Sequence, residues 1–343
     1  MGARWRKADT MHLGKSYRLS EFVIWTRRSL YGLLALSLAP VLLYQVAGLK
    51  WLTLPLSVVS LLGTATTFVV GFKNVQTYAR TVEAQKIWMS IVSASRYWGV
   101  ISHTYVSDPG RIAGLVNRHL AWLTALRYQL REARVWESAG SRPNAEYQRR
   151  YVIPERVESL ESALSRYLPT PEIAALMPAD GKAAQLLAMQ GRAVRGLLDE
   201  GAITASEYAE LNSRIRELLD LQGQAERIKN FPYPRQYAII NTLFVRSFCV
   251  ALPFGLAAQF DQIGQSVGGF MHGQMVWLAV PFSVIISWIY TSLEQVGEST
   301  ENPFEGSAND VPISRLSTMV ERDLKQMHGS ADLPGLSANV IVL

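Results

Sequence analysis

Residues 51–88 read WLTLPLSVVSLLGTATTFVVGFKNVQTYARTVEAQKIW, and this stretch decides the fold. Its first 22 residues, 51–72, carry no charge. A helix of that length rises about 33 Å, enough to cross the hydrocarbon of a bilayer. Lys73, Asn74, Gln76, Tyr78, Arg80, Glu83 and Lys86 follow at spacings that keep a helix going. The stretch predicts one rod that passes from lipid into water without a break, and the rest of the chain must supply partners for both halves.

The spanning half has an uneven texture. Leu54, Val58 and Leu62 recur every four residues on one stripe, while Ser57, Ser60, Gly63, Thr64, Ala65, Thr66 and Thr67 are small or hydroxylic. Small faces let helices approach closely in lipid, and hydroxyls bond across helices or face water. Two readings stand side by side: an ordinary span in a tight bundle, or a stripe that forms apolar constrictions in an oligomeric pore, where a narrow greasy section gates by dewetting.

With 343 residues, 49% of them hydrophobic, the chain suits a mixture of membrane and aqueous parts. A net charge of +6 could suggest nucleic acid, but the cations flank apolar runs instead of gathering in one patch interleaved with aromatics, so no nucleic-acid partner is expected. Cys249 is alone in a hydrophobic stretch and reads as a buried small side chain.

Residues 1–28 carry Arg4, Arg6, Lys7, Lys15, Arg18, Arg27 and Arg28 against Asp9 and Glu21, which places a cytoplasmic segment before the first span. Residues 29–72 read as a transmembrane hairpin, its first helix at 29–49 and Lys50 at its outer tip. The first apolar run, interrupted by Pro40 and soon followed by another, reads as an anchor and not as a cleaved signal.

Residues 73–236 read as a helical cytoplasmic domain with apolar positions three and four apart. The rod ends before Asp108-Pro109-Gly110, a helix runs from 111 to about 136, and 138–154 is a polar loop. One short amphipathic helix is expected at 155–167 and, after the proline-punctuated stretch 169–178, a longer one at 180–200 stopped by Gly201. Thr204-Ala205-Ser206-Glu207 offers a capped start to a helix reaching about 228. Residues 237–293 hold the third and fourth spans, the third ending before Asp261 and the fourth covering 270–293 with a kink at Pro281. Residues 294–343 form a cytoplasmic tail whose last part is rich in Gly and Ser. Four spans put both termini on one side, and no strand pattern is evident.

Chemistry is hard to place in this sequence. His12, His103, His119, His272 and His328 sit in no zinc-binding spacing, there is no phosphate loop, and no nucleophile has a base at a recognisable spacing. No enzyme, cofactor or metal is expected. The ionisable residue inside the third span, Arg246, lies close enough to the membrane edge to snorkel.

Three stretches together resemble the bestrophin family and its prokaryotic relatives, the voltage-dependent anion-channel-forming proteins. LPLS (Leu54 to Ser57) leads into GFKNVQTYARTVEAQKIW, similar to the family's GFRNN-x-x-Y-x-R-x-x-E-A-R-x-x-W, with Lys73, Val75 and Gln85 as replacements. RIKNFPYPRQY (Arg227 to Tyr237) resembles the family's approach to the third span, and ENPFEGSANDVPI (Glu301 to Ile313) resembles its ENPFG-x-x-x-NDLPL after the fourth.

The resemblance implies an all-α, four-span homopentamer in a cell inner membrane, a passive channel for monovalent ions, by family name anions, with the lipid bilayer and other copies of itself as its partners. A sodium-selective channel of the same fold, or a membrane-anchored scaffold with an interacting helical domain, are the alternatives. By alignment the hydrophobic neck falls on Leu54, Val58 and Leu62, where the family usually has Ile or Phe, and the cytoplasmic exit constriction falls near Ile203. Asn302, Pro303 and Asp310 would latch the tail against a neighbouring subunit. The calcium clasp of eukaryotic members would lose an acidic ligand at Ser307 and keep Asp310, so calcium-independent behaviour is expected.

Overall fold

The computed structural model describes residues 19–137, 152–307, 310–330 and 332–335. Most of the basic N-terminal segment, residues 138–151 of the polar loop and the Gly- and Ser-containing end of the tail lie outside these. The described residues form α-helices, two short 3-10 turns and connecting segments. They divide into two compact units, one made of residues up to Ala79 with Pro232–Glu301, the other of Arg80–Phe231 with the residues from Asn302 onward.

The first unit holds α1 (Leu19–Gln45), the beginning of α2 (Leu56–Tyr105), α9 (Arg235–Ser266) and α10 (Ala279–Ser299). Helix α1 starts ten residues before the expected span and takes Arg27 and Arg28 into its length. Helix α2 starts at Leu56, not Trp51, because Pro55 disfavours helical geometry at the residue before it. Helix α9 runs through Asp261 to Ser266, where the sequence suggested an earlier stop. Asp261 is buried there, and its carboxylate accepts a hydrogen bond of 2.8 Å from the Tyr44 hydroxyl. Pro281 lies in the first turn of α10, just after the 3-10 turn Met275–Leu278. The prolines inside helices are Pro40 and Pro253.

Three described helices are long and apolar enough to cross a membrane: Leu56–Tyr105, Arg235–Ser266 and Met275–Ser299. Helix α1, diluted by its arginines, Tyr31 and Pro40, is not among them. These helices meet through small residues. A Cβ on Gly63 would sit 2.8 Å from the Phe248 ring, and one on Gly255 would sit 2.9 Å from Val59, so glycine sets the separation of α2 and α9. Thr66 bonds to the Leu62 carbonyl at 2.7 Å, Thr67 meets the Tyr290 hydroxyl at 2.7 Å, and the Trp288 indole donates to Thr26 at 2.9 Å.

The second unit is built on the rest of α2, α3 (Pro109–Arg131), the short α4 (Pro154–Val157), α5 (Leu160–Leu164) and α6 (Thr170–Leu176), then α7 (Lys182–Asp199), α8 (Ala205–Asn230) and α11 (Ile313–Met327). Asp108 caps α3 by accepting from the Arg111 amide at 2.9 Å, with Pro109 at its first position. Gly201, at φ +70°, makes the left-handed turn after α7, and Thr204 and Glu207 complete a capping box for α8. The expected single helix at 155–167 is instead α4 and α5, separated at Glu158 and Ser159.

Trp88, Trp98 and Trp122 are fully buried in this core. The Trp122 indole donates to Gln222 at 2.9 Å. His119 is buried between Trp98 and Trp122, with ring centres 6.1 and 5.1 Å away, and burial lowers its pKa from 6.5 to about 3.

As pH falls below 6.5 the unfolded chain takes up a proton at His119 that the folded chain refuses until about pH 3. Stability contributed by this residue is therefore intact above pH 6.5 and declines toward pH 3, at up to ~1.4 kcal/mol per pH unit. His119→Phe is expected to reduce the drop in melting temperature between about pH 7.5 and about pH 5 relative to the unsubstituted protein. An undiminished drop would assign the acid sensitivity to other groups.

Candidate functional site

Helix α2 buries a stripe that is narrow in its first part and wider in its second. Val59, Gly63, Thr66, Val70, Lys73 and Thr77 on its first part, and Thr81, Ala84, Trp88, Ile91, Ser95, Trp98 and Ser102 on its second, recur every three or four residues and are all buried. The opposite face is open. Leu61 is 72% exposed, Phe68 63%, Phe72 67% and Val75 68%.

The neck residues suggested by the sequence lie at the edge of that open face. Leu54 is exposed but precedes the helix, Val58 is exposed on its first turn, and Leu62 is half-buried beside Val59, Phe248 and Leu252. Successive positions four apart turn by about 40° around a helix axis, so this row winds from the open face toward the packed seam. The three side chains therefore do not lie on one straight stripe.

Lys73, read from sequence as the residue that returns the chain to water, is instead buried and faces the Glu301 carboxylate at 3.8 Å. Arg235 approaches the same carboxylate at 3.8 Å. The pairing escaped sequence reading because the partners are more than two hundred positions apart. Arg246, by contrast, is exposed on α9.

The segment after α10 is buried at each described position from Glu301 to Ser307. Its backbone needs internal partners, and Asp310 supplies them. Its Oδ2 accepts from the amides of Gly306 at 2.7 Å and Ser307 at 3.0 Å, and from the Arg131 guanidinium at 3.2 Å. Burial pushes the Asp310 carboxyl up to about 6, against the pull of Arg131 and the two amides. Glu155 lies beside both Arg127, at 3.0 Å, and Arg131, at 3.9 Å. The Asn302 side chain donates to Glu305, the Pro303 carbonyl accepts from the Val311 amide at 3.1 Å, and Phe304 packs on Trp88. Lys229 pairs with Glu137 in the same region, and desolvation lowers its pKa. The suggested latch thus closes on the chain's own Arg131, and the sequence missed Arg131, Arg127, Glu155 and Glu137.

Ile203, suggested as an exit constriction, is 5% exposed and belongs to the hydrophobic core between α7 and α8. The Gly201 turn points it inward, and the surface of that turn presents Thr204, Ala205 and Ser206. Among the described residues no group of three or more His, Cys, Asp or Glu side chains could hold a metal.

Three membrane-length helices, with the longest showing an uncovered apolar face, in a chain whose described elements are helical define a class of all-helical membrane protein. The family model described as Bacterial/Fungal Bestrophin protein matches residues 23–326, and the chain belongs to that family. The chain is 27% identical over 292 residues to the voltage-dependent anion channel-forming protein YneE of Escherichia coli K12, covering 85% of this chain and 82% of the relative. It is 28% identical to the protein of that name from Salmonella typhi over the same shares. A crystal structure of a bacterial bestrophin homolog from Klebsiella pneumoniae matches with a TM-score of 0.72 at 24% identity, covering 88% of this chain and 98% of that one. The family is one of channels, not of enzymes.

Asp310→Ala would leave Arg131 buried with one anionic neighbour fewer and two amides without an acceptor. A loss of about 3 kcal/mol is expected, read as a lowered denaturation midpoint in detergent. A midpoint unchanged from the parent protein would show that the segment is held by Phe304 and its neighbours alone.

Proposed function

We propose that this chain assembles as a homopentamer in a cell inner membrane and conducts monovalent ions passively along the five-fold axis, with anions as the first expectation. The observation that carries the reading is the open face of α2. A membrane-length apolar helix has only 28% of its spanning window buried within its own chain, and large side chains such as Leu61 and Phe68 project from it. Such a face suits both a neighbouring copy and a narrow water path. The neck in this reading is Leu54, Val58 and Leu62; the exposure of Leu54 and Val58 supports it, and Leu62 would join them from the edge of the packed seam. The names of the relatives support anions, and no charge at these three positions opposes it.

In this reading α1 is the first of four spans, shortened on its apolar side by Arg27 and Arg28, and both termini are cytoplasmic. Conduction is independent of calcium in this reading: Ser307 stands where an acidic ligand would be needed, and the Asp310 Oδ2 is engaged by Arg131 and two amides. No cofactor is needed. The exit constriction moves from Ile203 to whatever the Thr204–Ser206 turn presents.

Purified protein in planar bilayers is expected to give channel currents whose reversal potential in asymmetric sodium chloride follows the chloride gradient. A reversal that follows sodium would make it a cation channel of the same fold, and silence from intact pentamers would favour a scaffold. Val58→Ala, which removes bulk from the neck without touching the buried seam, is expected to raise unitary conductance severalfold. An unchanged conductance would move the constriction elsewhere.

A further inference from the structure

His103 and His328 lie outside everything described so far. His103 sits in the last turn of α2, and His328 is the residue that ends α11. Their ring centres are 5.6 Å apart with an interplanar angle of 62°. The two helices that carry them are fixed together nearby: Arg96 donates to Asp323 at 2.7 Å, and a Cβ on Gly99 would fall 2.4 Å from the Leu324 side chain.

The orientation of the His103 ring is also fixed. The His103 Nδ1 lies 2.8 Å from the Gly99 carbonyl oxygen, four residues earlier. A carbonyl can only accept, so Nδ1 carries the proton and Nε2 keeps its lone pair. That Nε2 is buried and has no hydrogen-bond partner. His328 is held by the turn that closes α11, where Gly329 takes φ +73° and the Ser330 amide donates to the Lys325 carbonyl at 2.9 Å.

A neutral imidazole whose N–H is tied to a backbone carbonyl and whose other nitrogen is free is the arrangement of a metal-ligating histidine. Two imidazoles sharing one tetrahedral ion at about 2.1 Å place their ring centres on the order of 5 Å apart. The Met327 sulfur lies close to Gly99, on the turn that orients His103, and adds a soft donor to the surroundings. Imidazole with thioether nearby suits late first-row transition metals and not the hard cations magnesium or calcium.

We propose that His103 and His328 bind one late first-row transition-metal ion, represented by Zn2+, which clips the end of α11 to the end of α2. Water completes the coordination shell. Both residues lie in the unit made of Arg80–Phe231 and the residues from Asn302 onward.

The test is calorimetric titration of Zn2+ into the tag-free full-length protein in detergent, with the melting temperature followed in parallel. One ion per chain and a raised melting temperature are expected. His328→Gln, at a helix end and therefore tolerant of substitution, and His103→Gln should each weaken binding about tenfold or more and abolish the thermal shift, while His272→Gln should change neither. Binding that survives in the His103→Gln, His328→Gln double variant, or no binding by the parent protein at micromolar Zn2+, would overturn the proposal.

Discussion

The structure depends on the narrowness of the stripe that α2 buries in its first part. From Val59 to Ala84 its buried positions are three or four residues apart, and from Ile87 on the buried face widens to adjacent pairs such as Ile87 with Trp88 and Ile91 with Val92. The character of the seam changes along its length. In the first unit it is made of Val59, Gly63, Thr66 and Val70; in the second it is made of Ala84, Trp88, Ile91 and Trp98. In the proposed membrane arrangement the physical reason is the solvent. Between helices in lipid no hydrophobic force operates, so close approach and hydroxyl bonds hold them. In water, burial of large apolar side chains is the main driving term.

A narrow seam leaves the rest of the helix uncovered. For the aqueous part this is unremarkable, since Glu83, Gln85 and Lys86 face outward. For the spanning part it leaves Leu61, Phe68 and Phe72 without a partner in the chain. The same apolar sequence that lets α2 cross a membrane therefore equips it to meet another helix of its kind. The wound row Leu54, Val58, Leu62 follows from α-helical geometry, since a spacing of four drifts slowly around the axis.

Buried polar groups show where the fold is exacting. The segment from Glu301 to Ser307 carries its backbone inside the protein, where each unpaired group is costly. Asp310 meets that demand with one oxygen that serves two amides and Arg131. The Lys73 and Glu301 pair does the same for charge at the start of this segment. One oxygen thus ties Arg131 and two amides to the same point and holds the tail against α3.

Much of this protein was legible in its sequence. The uncharged run at 51–72, the cap at Thr204, the stop at Gly201 and the turn at Asp108 are local signals, and local hydrogen bonding and hydropathy act on neighbouring residues. The family was legible too, because its three motifs are short and contiguous. The tertiary structure alone decided which side chains face inward and which partners they meet. Ile203 is turned into the core by a glycine two residues away, Arg131 finds Asp310 across 179 positions, and His103 finds His328 across the fold. Sequence records the identity of each group, but distances between remote groups arise only when helices pack, and packing is set by the sum of many weak contacts that no short stretch contains.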